Sequence, residues 1–107
     1  MKEIQIDDYI LKIGKNAKEN DELISSSEKT YTWFHLSDYP SCHGVINCPL
    51  KDLTKKIIFI VACYIKNNTK YKNLKNLIVD YIELSNIKRT ADLGKVLLIK
   101  KPNKIKV

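Results

Sequence analysis

The stretch that decides the fold is Tyr31-Thr32-Trp33-Phe34-His35-Leu36, followed across Ser37 to Pro40 by His43-Gly44-Val45-Ile46-Asn47-Cys48. Aromatic and β-branched side chains suit a pleated surface, so the first segment is predicted as a strand. The polar, proline-containing link marks a loop, and His43 to Cys48 is predicted as the second strand. Side chains alternate along a strand. Trp33 and Phe34 therefore leave on opposite faces, and one of them is expected in the core.

The pattern continues outward on both sides. Upstream, Ile4, Ile6, Tyr9, Leu11 and Ile13 alternate with polar positions around Asp7-Asp8, predicting a hairpin that ends at Gly14. Asn16 with Glu19 three residues on has the form of a capping box; it opens a short helix to about Ser25 with Leu23 and Ile24 on its inner face. Downstream, Pro49 breaks the chain before Asp52, the expected N-cap. Leu53, Ile57, Ile60, Val61 and Tyr64 then follow helical spacing to Lys66. Ile57 to Val61 alone fits a buried strand equally well, but the segment's length and its Lys55-Lys56 polar face favour helix. Asn67 to Asn76 reads as a loop with Lys70, Lys72 and Lys75 around Tyr71. Leu77 to Leu84 reads as a strand and Ser85 to Gly94 as a connection. Val96 to Ile99 and Ile105 to Val107 read as a final hairpin turning at Pro102-Asn103. The order is ββαββαβββ: an α+β fold with two α-helices packed on a mainly antiparallel or mixed β-sheet, one domain over residues 1–107.

A chain of 107 residues has room for one modest core, not for a cofactor domain plus a substrate domain. No apolar run approaches the ~20 residues that span a bilayer. The first residues lack the apolar stretch and cleavage site of a signal peptide, and Cys42, Cys48 and Cys63 are an odd set without framework spacing. Together these point to a reduced, cytoplasmic setting and no membrane partner. The net charge of +7 is unevenly placed: residues 1–52 carry six Lys/Arg against nine Asp/Glu, and residues 53–107 carry thirteen against three. Clustered cations bind polyanions by displacing condensed counterions. The composition itself has a plainer source, since Lys, Asn and Ile make up 42 of the residues, as an AT-rich coding sequence would give. On charge alone, nucleic-acid binding and a solvated basic surface stand level.

Three constellations could carry chemistry. Gly14-Lys15-Asn16-Ala17-Lys18-Glu19-Asn20-Asp21 lies between a strand and a helix, where free backbone N–H groups and the helix dipole favour a phosphate, with Lys15 and Lys18 adding charge. It is not a nucleotide-binding P-loop, and a solvated helix cap reads the same way. Trp33-Phe34-His35, with Cys42-His43 beyond, offers rings of the kind single-strand RNA readers use to stack bases. Metal binding through His35, Cys42, His43 and Cys48 fits no zinc spacing, so no metal or cofactor is expected. A ribonuclease using His35 and His43 would need an orienting carboxylate, for which Asp38 is the candidate. Ser85-Asn86-Ile87-Lys88-Arg89-Thr90-Ala91-Asp92-Leu93-Gly94-Lys95 holds the only Arg beside Lys88, with hydroxyl and amide side chains of the sort that grip phosphates and sugars.

In this order and spacing the three segments resemble the NFACT-R domain, the RNA-binding part of the NFACT proteins of ribosome-associated quality control. Gly14 to Asp21 resembles the family's Gly-(Arg/Lys)-Asn-x-x-x-Asn-Asp run, and Trp33 to Val45 its Trp-Phe-His, spacer, Gly-Ser-His-Val element. Ile87-Lys88-Arg89 and Gly94-Lys95-Val96 resemble its late basic element and Gly-x-Val. The Ser85 to Asp92 run is closest to small members that carry a coiled coil after the domain. The chain departs at Ser41-Cys42, where the family has Gly-Ser, at Gly44 in place of Val, and at Asn47 where an Arg commonly stands. The resemblance implies a non-catalytic module for tRNA or rRNA, linked to translation or ribosome quality control and acting with the ribosome. The contacts it implies are Lys15, Asn16, Lys18, Asn20, His35, His43, Lys88, Arg89, Thr90 and Lys95. DNA or general polyanion binding, and docking on a ribosomal or chaperone protein, are the alternatives.

Overall fold

The alternation read in the strands is realised as a sheet with cover on both faces. The computed structural model describes residues 1–107, with strands β1 (Lys2–Ile6), β2 (Tyr9–Ile13), β3 (Tyr31–Leu36), β4 (Gly44–Pro49), β5 (Ile78–Glu83), β6 (Ile87–Arg89), β7 (Val96–Leu98) and β8 (Asn103–Lys106). The helices are α1 (Ala17–Ser26) and α2 (Lys55–Asn67). The main sheet runs β1-β2-β4-β3-β5-β8, antiparallel at every pairing, and β6 and β7 form a separate ribbon. The α+β class therefore holds, with one strand more than the sequence pattern suggests.

In register, Trp33 lies opposite Val45 on one side and Ile82 on the other, while Phe34 lies opposite Gly44 and Tyr81. Phe34 joins Leu11, Ile13, Ile46 and Val79 beneath Ile57, Ile58, Val61, Ala62 and Ile65 of α2. On the opposite face Trp33, Val45 and Ile82 pack with Leu23 and Ile24 of α1 and with Leu84 and Ile87. Both members of the pair are thus buried, Trp33 at 3% and Phe34 at 0% exposure, where one core ring was expected. A sheet open on one side would have left one of them to solvent; here both faces are covered.

Three local readings are corrected. The N-cap of α2 is Thr54, whose hydroxyl accepts from the Ile57 N–H at 3.2 Å, because Leu50–Asp52 is used up in a 3-10 turn. The inner face of α2 is Ile57, Ile58, Val61, Ala62 and Ile65, leaving Tyr64 exposed. The expected hairpin between residues 96–99 and 105–107 does not form. Residues 96–98 pair with Ile87–Arg89, and β8 crosses to the free edge of β5, where Ile105 lies opposite Val79. Apolar Ile105 gains a place against the main core there. Thr54→Ala is expected to cost about 1 kcal/mol of unfolding free energy, read from urea denaturation, because the Ile57 N–H loses its cap.

Candidate nucleic-acid interface

The start of α1 is fixed from two directions by glycines. The Gly14 N–H donates to the His43 carbonyl at 3.0 Å, and a Cβ on Gly14 would meet the Asn20 side-chain oxygen at 2.4 Å. Only a residue without a side chain lets the end of β2 lie this close to the helix. Gly94 has φ +80, and a Cβ there would fall 2.9 Å from the Ala17 Cα. The late loop thereby rests on the first helical turn. Asn16 caps α1, its side chain accepting from the Glu19 N–H at 2.9 Å. Glu19 reaches back one residue further than a capping box requires, accepting from the Lys15 N–H at 3.0 Å, and this holds its carboxyl below the ordinary range.

Between α1, β3 and the late loop lies a groove of about 800 Å³. Its walls bring together Lys15, Asn16, Asn20, His35, His43 and Lys95, six of the ten residues expected at the site. At its base the Trp33 indole N–H donates to His43 Nδ1 at 3.2 Å, which makes Nε2 the protonated nitrogen of that ring. His35 stacks on Trp33 with centroids 5.4 Å apart and meets His43 edge-on at 5.0 Å. Burial pushes His43 down to about 3, with His35 a second cause, and burial also lowers His35 against the opposing pull of Asp80. Both rings are neutral near pH 7. The half-buried His35 offers ring surface and a neutral hydrogen-bonding group, not charge, while His43, 3% exposed, braces it from below.

Asn20 is 7% exposed, and its oxygen accepts from the His43 N–H at 3.1 Å, so its first duty is to join α1 to β4. The remaining expected residues sit elsewhere. Lys18 is exposed on α1 outside the groove, and Lys88 is exposed on β6, opposite Leu97. Arg89 is engaged within the protein: its Nε and Nη2 donate to the two Asp21 oxygens at 2.8 and 2.7 Å. This holds Asp21 below, and Arg89 above, their ordinary values. The Thr90 hydroxyl donates to the Lys95 carbonyl at 2.9 Å and has the Asp92 carbonyl as an alternative acceptor at 3.0 Å, shaping the loop that carries Lys95. The sequence pattern puts Lys88, Arg89 and Thr90 in a connection; the first two lie in a strand because Ile87 is buried against the α1-side cluster and Ile87–Arg89 pairs with Val96–Leu98.

Sequence reasoning missed Asp80, Lys104, Leu93, Val96 and Leu98. Asp80 lies opposite His35 across β3 and β5 and accepts from Lys104 at 2.7 Å; the same ammonium donates to Ser37 at 3.0 Å. The signal for Asp80 was its place in the Ile78–Glu83 alternation, facing the same side as Ile82. Asp38 is exposed outside the groove lining, so Asp80 is the carboxylate that faces His35.

The family departures are filled by local contacts. The Ser41 hydroxyl accepts from the Leu36 N–H at 3.0 Å, and the Asn47 side chain accepts from the Ile10 N–H at 2.7 Å. At Gly44 the Ile65 Cδ1 lies 2.5 Å from where a Cβ would stand, so α2 supplies the volume that a valine would occupy.

Compared with known proteins, residues 2–99 match the family of the NFACT protein RNA binding domain. The chain is 28% identical over 90 residues to coiled-coil domain-containing protein 25 of Danio rerio and 29% identical to its counterparts in Bos taurus and Mus musculus. Each match covers 79% of this chain and 43–44% of the relative, so the chain spans less than half the length of these proteins. Among solved structures, the C-terminal part of the fibronectin/fibrinogen-binding protein from Streptococcus suis superposes with a TM-score of 0.84 at 27% identity, covering 94% of this chain and 41% of that one.

Proposed function

The chain belongs to the NFACT protein RNA-binding domain family, and from that premise we propose that it grips structured RNA, tRNA first, through the groove beside α1. The observation that carries this reading is the convergence of three segments, distant in sequence, on one groove with Lys15 and Lys95 at its walls. Phosphates are held by these two ammonium groups, aided by N–H groups at the α1 start, while the neutral His35 ring, positioned by the buried His43 and Asn20, reads shape or an unstacked base. The module acts without catalysis, in the cytoplasm and alongside the ribosome; its three unpaired thiols suit a reducing compartment. Neutral histidines at pH 7, one of them hydrogen-bonded to Trp33, suit recognition better than acid–base cleavage.

The deciding experiment is titration of labelled tRNA and matched duplex DNA across a salt series. tRNA is expected to bind more tightly, with a steep salt dependence. Lys15→Ala with Lys95→Ala is expected to weaken tRNA binding about tenfold and to lower the salt slope by at most about two units, whereas Lys88→Ala changes either little. Equal binding of DNA would make the domain a general polyanion binder. Docking on a protein has one observation in its favour: Leu93, Leu97 and Ile99 are exposed near Lys95, Lys100 and Lys101. That association would survive salt that strips RNA.

A further inference from the structure

From Leu53 to Val79 the chain has six lysines and not one acidic residue, a run of single sign unlike the groove, where Asp80 stands among the cations. Three of these lysines, Lys70, Lys72 and Lys75, are exposed in the connection between α2 and β5. Tight turns hold that connection: the Tyr71 N–H donates to the Thr69 hydroxyl at 3.2 Å and the Leu74 N–H to the Tyr71 carbonyl at 2.9 Å. Tyr71 packs one side against the main core and presents its ring to Tyr39, with centroids 4.4 Å apart and planes tilted by 31°. The Lys70 ammonium lies 5.4 Å from the Tyr71 centroid. Tyr39 is 38% exposed and stands between Ser37 and Pro40, both of which line the groove. An exposed aromatic ring, paired with Tyr71 on a connection that carries Lys70, Lys72 and Lys75, thus adjoins the groove rim.

We propose that Tyr39, Tyr71, Lys70, Lys72 and Lys75 form a second contact surface that receives an unpaired RNA segment leaving the groove. This deepens the reading of the groove and rests on it for the path of the RNA. A base stacks on the Tyr39 ring, already braced by Tyr71, and the lysines neutralise the phosphates on either side; stacking tolerates any base, so the surface sets where single strand begins and not which sequence is bound. An acidic peptide would satisfy the lysines but make no use of the paired rings.

The test compares an RNA hairpin with the same hairpin extended by a short adenylate tail, and an adenylate oligomer alone, each titrated against the full chain. The tail is expected to tighten binding by about tenfold, the scale of one base stacked on an aromatic ring. Tyr39→Ala, and separately Lys70→Gln with Lys72→Gln and Lys75→Gln, should abolish the gain while leaving the bare hairpin's affinity unchanged. Lys15→Ala with Lys95→Ala should weaken the bare hairpin and preserve the gain. If the tail adds nothing, or adds as much in both variants, the second surface is wrong. If the bare hairpin fails to bind, the groove reading falls and the oligomer decides alone: binding lost in Tyr39→Ala upholds the second surface, and no binding overturns it. Polyglutamate binding as tightly as the oligomer would overturn the stacking assignment.

Discussion

Acidification from pH 7 to pH 4.5 is expected to destabilise the fold by roughly 3 kcal/mol, most of it through His43. Burial in the folded protein lowers this imidazole from its ordinary 6.5 to about 3. Between those values the unfolded chain takes up a proton that the folded chain refuses, so stability is complete above 6.5 and falls as pH drops through the window. Each pH unit below 6.5 costs about 1.4 kcal/mol. His35, lowered in the same direction, adds to the slope. The depressed carboxyls of Glu19 and Asp21 also lose their stabilisation in acid, but chiefly below their ordinary values of 4.5 and 3.8, so down to about pH 5.5 the slope belongs to the histidines. Urea midpoints across the interval measure the effect. In His43→Gln, which keeps an acceptor for the Trp33 N–H, the slope should shrink by about one proton. A His43 ring whose NMR signals titrate near 6.5 would refute the argument.

Much of this site was legible in the chain because its determinants are local. Asn16 with Glu19 announces a helix start, Gly14 before them announces a close approach, and the alternation of Trp33, Phe34 and His35 announces a strand. What the sequence could not convey was pairing. Nothing in Ile105 to Val107 says that these residues reach β5 in place of Val96 to Leu98, because two short alternating strands fit either partner and the choice is made by burial of Ile105. The partner of Arg89 is hidden for a related reason. An arginine beside a lysine looks free until the fold brings Asp21, 68 residues away, to both of its donating nitrogens. Asp80 escaped notice because an acid within a largely apolar strand has no motif; only the register with His35 gives it a place.

Gly14→Ala is expected to cost about 2–3 kcal/mol of stability, while Gly94→Ala, at the other side of the same helical turn, should cost less stability and proportionately more RNA affinity. The difference follows from what each added methyl would strike. At Gly14 it meets the Asn20 side chain at 2.4 Å and the Asn20 backbone nitrogen at 2.9 Å. Relief means moving Asn20, whose oxygen holds the His43 N–H, and with it the junction of α1 and β4 that lies over the buried Trp33. That strain is carried into the core. At Gly94 the methyl meets Ala17, and the positive φ adds a further cost of about 1 kcal/mol, but the loop is exposed and can lift away from the helix. Lifting it carries Lys95 away from Lys15 and opens one wall of the groove without disturbing either apolar cluster. Urea denaturation and tRNA titration of the two variants, with binding measured well below the unfolding transition, separate the effects. Were Gly94→Ala to bind tRNA as the parent does, the late loop would be a fastening for α1 and Lys95 no part of the grip.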